Sequence, residues 1–144
     1  MSALIESKSA GREAIKRLQV AMSEMPQAEL DTQHLFTKGI YGRVMTAKAG
    51  TTIVGKVHRK EHLFFVCSGT ILVSDGEGDA KEITGPAFFI SGPGTKRAGF
   101  AVTDVTCVNI HRTDKTDLDE IEEELIEPDE TALFDSRNEL KELT

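Results

Sequence analysis

The chain has 144 residues, of which 39% are hydrophobic and 28% charged, with a formal net charge of −7; this is the profile of one globular domain with short appendages. The charge is uneven: from Asp114 to Glu130 ten acidic residues stand against one basic, a balance of −9, so the rest of the chain carries +2. Duplex nucleic acid is excluded as a partner by the lack of a clustered basic face, a single-strand stacking platform is disfavoured by 6% aromatic content, and no apolar run approaches the ~18 residues of a transmembrane helix.

Residues 3–25 read as a helix, with Ile15, Leu18, Met22 and Met25 on one apolar stripe and Pro26 ending the pattern. Met1 to Ser9 lack the apolar core of a secretory signal, so a cytoplasmic protein is expected. From Ile40 the hydrophobic period changes to two. Strands are expected at Gly39–Ala47, Thr51–His58, Leu63–Ser68, Thr70–Ser74, Lys81–Ile83, Ala87–Ser91, Arg97–Val102 and Val105–Arg112, with glycine-rich turns between them. Many short strands at regular spacing favour an antiparallel sandwich or closed barrel. Cys67 and Cys107 fall inside strands and have no zinc-type spacing, so both are expected to be buried free thiols. Beyond Arg112, residues 116–126 form an acidic helix with Leu118, Ile121 and Leu125 on one stripe; such a helix forms only when the stripe docks. Pro128 breaks it. Leu133, Phe134, Leu140 and Leu143 make a weaker apolar set in the tail. The chain therefore divides into a helical arm (1–38), a β-barrel (39–112) and an acidic helix with a tail (113–144).

One segment has a definite pattern: Gly50, five residues, Lys56-x-His58, three residues, His62, six residues, Gly69. It resembles the first motif of the cupin superfamily, in which His-x-His and a Glu stand at the positions of Lys56, His58 and His62. A looser second motif is opened by Gly85 and continues through Gly92-Pro93-Gly94 to Arg97, which stands where the family has its last His. Here one residue is inserted before the Pro-x-Gly, and Ala101 replaces the closing Asn. The resemblance implies a mainly β fold, a small antiparallel cupin or jelly-roll barrel with Lys56, His58, His62 and Arg97 pointing into its mouth.

In strands, Lys56 and His58 would project together, two residues apart. Lys and Arg have no lone pair to give a metal, so only His58 and His62 remain as metal ligands and no carboxylate fills the family's carboxylate position. Glu61 is one residue out of phase. His34 and His111 are expected to be structural. Lys56 and Arg97, if they face inward, call for an anionic partner.

The first functional reading is a non-catalytic binding or assembly module with no cofactor and no catalytic residue. The overall layout is similar to small cupin-like proteins of tailed bacteriophages, which implies a virion component or an accessory protein in the host cytoplasm. A second reading is a metal-dependent cupin enzyme of isomerase or dioxygenase type, using His58, His62 and either Glu61 or His111 with a divalent transition metal. A third is a pocket for an anionic small molecule held by Lys56, His58, His62 and Arg97. A homo-oligomer or larger assembly is expected, with the N-terminal helix at the interface, and neither nucleic acid nor membrane as partner.

Overall fold

A computed structural model describes residues 2–141, with side chains from Ala10 onward; Leu143 lies outside the described residues. Helix α1 (Ser2–Met22) precedes nine strands: β1 (Asp31–Thr37), β2 (Ile40–Ala47), β3 (Thr52–Val54), β4 (His62–Ser68), β5 (Thr70–Ser74), β6 (Lys81–Thr84), β7 (Ala87–Ser91), β8 (Ala98–Ala101) and β9 (Val105–Arg112). Helix α2 (Leu118–Leu125) follows. The strands form two antiparallel sheets, ordered β1-β2-β9-β4-β7 and β3-β8-β5-β6. The expected mainly β architecture, a small jelly-roll barrel with a helix at each end, is the one found.

Between the sheets lies a core of Ala47, Val66, Ile71, Ala101, Val105 and Cys107. Alternation along each strand sorts residues into inward and outward sets, and the register lines up the inward set in rows. Tyr41 pairs with His111 and His62 with Ser91; Arg43 pairs with Asn109 and Phe64 with Phe89; Met45 pairs with Cys107 and Val66 with Ala87. Phe64–Asn109 and Val66–Cys107 pairing joins β4 to β9 and completes the rows. The β4–β5 turn depends on Gly69, where φ is +84° and a Cβ would lie 2.0 Å from the Asp104 carbonyl oxygen.

Four expectations need correction. A strand at Asp31–Thr37 was not foreseen: it is an exposed edge strand whose polar alternation carries little burial signal. Phe88 and Ile90, which an apolar barrel strand predicts to be largely buried, are 68% and 71% exposed on the outer face of edge strand β7; the unbroken apolar run Ala87–Ile90 gives no indication of which residues face in. Cys67 is exposed, because it alternates with the inward Val66 and so faces the outer side of β4, at a bulge; only Cys107 is buried. In α1 the buried side is Gly11, Ile15 and Gln19, at spacings of four, while Leu18 and Met25 stay exposed.

That helix folds back onto its own barrel. A Cβ on Gly11 would come within 2.4 Å of the Asp75 carbonyl, and one on Gly76 within 2.3 Å of the Gly11 carbonyl, so backbone meets backbone there. Helix α2 starts at an N-cap, Asp117, whose carboxylate accepts hydrogen bonds from the Asp119 and Glu120 amides. Ile121 and Leu125 are buried against Tyr41, and the charged side is met by Lys56, Lys60 and Lys115. Arg12 of α1 reaches Glu127 in the following segment at 2.8 Å. No helix among the described residues is long and apolar enough to cross a membrane.

Candidate functional site

The inner row at one end of the five-stranded sheet holds the chemistry. His62 opens β4 and His111 lies near the end of β9; the Leu63–Ile110 pairing sets them side by side, ring centroids 4.4 Å apart. His58 comes from the loop between β3 and β4, held from two directions. Its carbonyl accepts from the Gly94 amide at 3.0 Å, and it forms an isolated antiparallel bridge with Ile126. Arg59 N–H to Leu125 O and Glu127 N–H to Val57 O, at 2.8 and 2.9 Å, flank that bridge. The acidic segment thus fixes the backbone that presents His58.

The three rings stack as a cluster: His58 lies 4.1 Å from His62 and 4.9 Å from His111, centroid to centroid. One nitrogen from each lies within 4.8 Å of the others, and all three residues are buried. Burial is the main force lowering their basicity. It takes His58 to about 2, with help from the neighbouring rings and from Arg43 and Arg97. His111 falls to about 3, by burial and then by His62 and Arg43. His62 is also lowered by burial, partly offset by its hydrogen bonds to Asn109 and to the Lys60 backbone. All three are therefore neutral imidazoles at neutral pH, the form that ligates metals. Asn109 Oδ1 lies 3.0 Å from His62 Nε2, and the Lys60 backbone is a second hydrogen-bond partner of the His62 ring. The Nδ1 atom of His58 is buried and has no hydrogen-bond partner.

Beside this cluster opens a cavity of about 420 Å³, within the usual ~300–1,000 Å³ range of small-molecule sites. His58, His62, Lys56 and Arg97 all line it. The four residues of the motif reading therefore do meet at one cavity, but not as a set of equivalent ligands. Strand β3 ends at Val54, so strand alternation does not govern Lys56. The Lys56 ammonium is paired with Glu122 of α2 and also donates to the Asp135 carbonyl at 3.1 Å. Arg97 donates to Ser91 Oγ at 2.7 Å. Glu61 is exposed and outside the cluster.

Two further residues stand at the site. His111, expected to be structural in the first reading and offered as an alternative ligand in the second, brings a third nitrogen to the cluster from a strand outside both motifs. Arg43, half-buried on β2, lines the cavity and has no motif at all. The signal for His111 was strand parity, since it shares an inward face with Asn109 and Cys107 two and four residues earlier. His34, by contrast, is structural: its ring bonds the Tyr41 hydroxyl at 2.7 Å and the Arg137 carbonyl at 3.1 Å.

No protein-family model and no curated protein matches this chain. Solved structures do. A cupin superfamily protein from Desulfitobacterium hafniense aligns with a TM-score of 0.51 at 8% identity, over 66% of this chain and 87% of its own. A protein with a double-stranded β-helix domain from Klebsiella pneumoniae aligns with a TM-score of 0.53 at 18% identity, over 68% and 90%. KdgF from Halomonas aligns at 0.50 and 14%, over 66% and 91%. At such identities the likeness concerns the fold and not the activity. The chain has the cupin-type jelly-roll fold.

Proposed function

We propose that this protein binds one divalent transition metal ion through His58, His62 and His111 and receives a small molecule in the adjoining cavity. The observation that carries the reading is three buried imidazoles with one nitrogen of each within 4.8 Å of the others. Burying a polar nitrogen unsatisfied, as His58 Nδ1 is, costs about 1–3 kcal/mol, and an ion shared by the cluster would satisfy it. Three neutral nitrogens suit zinc, iron or manganese and leave coordination positions open toward the cavity. A bound ion would act as a Lewis acid on a ligand oxygen. The chain's own part is to hold the His62 ring through Asn109, to fix His58 through the Ile126 bridge, and to exclude water with α2 and the tail. An enzyme of isomerase or dioxygenase type would use this same centre.

Metal analysis of protein purified without chelators tests the proposal. About one ion per chain is expected, lost in His111→Ala and retained in His34→Ala. Less than a tenth of an ion per chain after supplementation with zinc, iron and manganese in turn would overturn it.

A second reading, assembly through a sheet face, is favoured by a separate observation. The outer face of the five-stranded sheet presents Phe88, Ile90, Leu63 and Leu35, all exposed, beside the half-buried Phe65, Val108 and Ile110. These outward positions are uncharged, so a second copy can meet them without desolvating ions. An assembly role of the kind implied by the bacteriophage-like layout would use this face. Sedimentation of the wild type against Phe88→Ser/Ile90→Ser checks it: the wild type should associate at tens of micromolar and the double variant should not.

A further inference from the structure

We infer that the cavity binds an amphipathic anion, a molecule with a carboxylate or phosphate head on an apolar body, and that Arg43 and Arg97 grip the head. This deepens the small-molecule reading above by naming the ligand's chemistry. It does not depend on metal.

Among the inner cations lining the cavity, Lys56 has its carboxylate, Glu122. Arg43 is different: among the described residues no hydrogen bond or ion pair reaches its guanidinium, although it is half-buried at the cavity wall. Glu122 and the Tyr41 hydroxyl act on it only at a distance. Arg97 has a single neutral partner, Ser91, and feels Asp75 through charge alone. Two arginines at one cavity, with ten N–H donors between them and one donor used, are costly in the absence of an anion. A guanidinium cannot escape that cost by losing its proton.

The two arginines also occupy one neighbourhood. Arg43 lies across from Asn109 on β9, the residue that holds His62, and Arg97 is tied to Ser91, which pairs with His62 on β7. Both lower the basicity of His58 and His62 through their charge. The positive end of the cavity is therefore the histidine end. Asp75, Glu77, Asp79 and Lys81, all exposed, form its rim.

Away from the arginines the lining is apolar. Met45 and Phe64 face it from one sheet and Ile53, Ile71, Val73 and Ile83 from the other. A free inorganic anion would leave that surface unused. A ligand with its head between the arginines and its body against these side chains satisfies both halves. Planar guanidinium groups favour a forked oxyanion, which carboxylates and phosphate monoesters share.

Calorimetric titration of the full chain with octanoate, octyl phosphate and 1-octanol tests the inference, in chelator-treated and zinc-loaded protein. An anion is expected to bind about tenfold or more tighter than octanol, and Arg43→Gln and Arg97→Gln should each weaken it about tenfold while leaving octanol unchanged. Tighter octyl phosphate assigns a phosphate head, and tighter octanoate a carboxylate; either supports the inference. Arg43→Lys, which keeps the charge and loses the fork, should weaken binding by less than Arg43→Gln, and it replaces that variant if the glutamine chain does not fold. Equal affinity for octanol and both anions, or no weakening in the arginine variants, would overturn the inference. So would anion binding that vanishes on chelation, which leaves the metal reading intact. Anion binding in a protein that never retains metal would instead uphold this inference and sink the metal centre.

Discussion

The two ends of the five-stranded sheet are built on the same strands, yet four residues change their chemistry completely. At one end the inward row is Met45, Cys107, Val66 and Ala87, apolar and packed with Ile71 and Ala101 of the facing sheet. At the other it is Tyr41, His111, His62 and Ser91, with Arg43 and Asn109 in the row between. The apolar end meets every local requirement of a core. Among the described residues the polar end leaves a nitrogen of His58 and the Arg43 guanidinium without hydrogen-bond partners. Sites where the rules of good packing are broken at a cost are where a fold keeps its function, and here the boundary falls between adjacent rows.

The contrast can be tested by mutation. The largest effect is expected at the clamp beside the polar end. Lys96 is almost fully buried and bonds Asp129 at 2.9 Å and the Gly55 carbonyl at 3.0 Å; Gln19 of α1 adds a bond to Asp129 at 3.0 Å. Asp129→Ala leaves a buried cation unpaired and should cost about 3–5 kcal/mol in denaturant unfolding. The same interaction sets an acid limit. Burial alone would raise the Asp129 carboxyl, but bonds from Lys96, Gln19 and Thr131 outweigh it and hold it below the ordinary carboxylate range. Its contribution is therefore complete above the unfolded value of about 3.9 and is lost only as pH falls further, through the folded value. Proteolysis of residues 127–141 should accordingly be slow at pH 5 and accelerate well below about pH 3.9.

Next in size is the apolar end. Ile71→Ala should lose roughly 2–5 kcal/mol by melting or denaturant titration, because the close-packed cluster has little room to collapse. At the polar end the expectation reverses. His58→Leu removes an orphaned nitrogen, so the metal-free protein should change by less than about 1 kcal/mol, in either direction. A loss as large as that of Ile71→Ala would show that the histidine cluster is ordinary core. The smallest effect belongs to the rim. Lys115, 46% exposed, meets Glu124 at 3.3 Å, and Lys115→Gln should cost no more than ~1 kcal/mol, the range of surface pairs.

What the sequence disclosed follows the same boundary. The barrel strands were legible because Val105, Cys107 and their neighbours alternate in and out of a core, and α2 because Ile121 and Leu125 make a stripe that must dock. His58 and His62 were legible through motif spacing. His111 was legible only as one of two alternatives and Arg43 not at all, because each is a single polar residue in a strand and its partners come from other strands. Only the register, which sets Tyr41 beside His111 and Arg43 beside Asn109, brings them to the site. Lys56 reaches the cavity as expected, but from the loop after β3, which ends at Val54, and not by strand alternation with His58. Its real partner, Glu122, lies 66 residues further on.

The clamp also has a consequence for the order in which the molecule forms. Gln19 and Asp129 are 110 residues apart, and Arg12 and Glu127 are 115 apart. Contacts of such separation carry the largest loop-closure entropy and form late. The bridge that holds His58 likewise waits for Ile126. A chain emerging from the ribosome can therefore assemble both sheets before residues 126–131 arrive. During that interval the loop that presents His58 lacks the strand-like partner that fixes its backbone, so the geometry of the histidine cluster is completed by the last segment to be made.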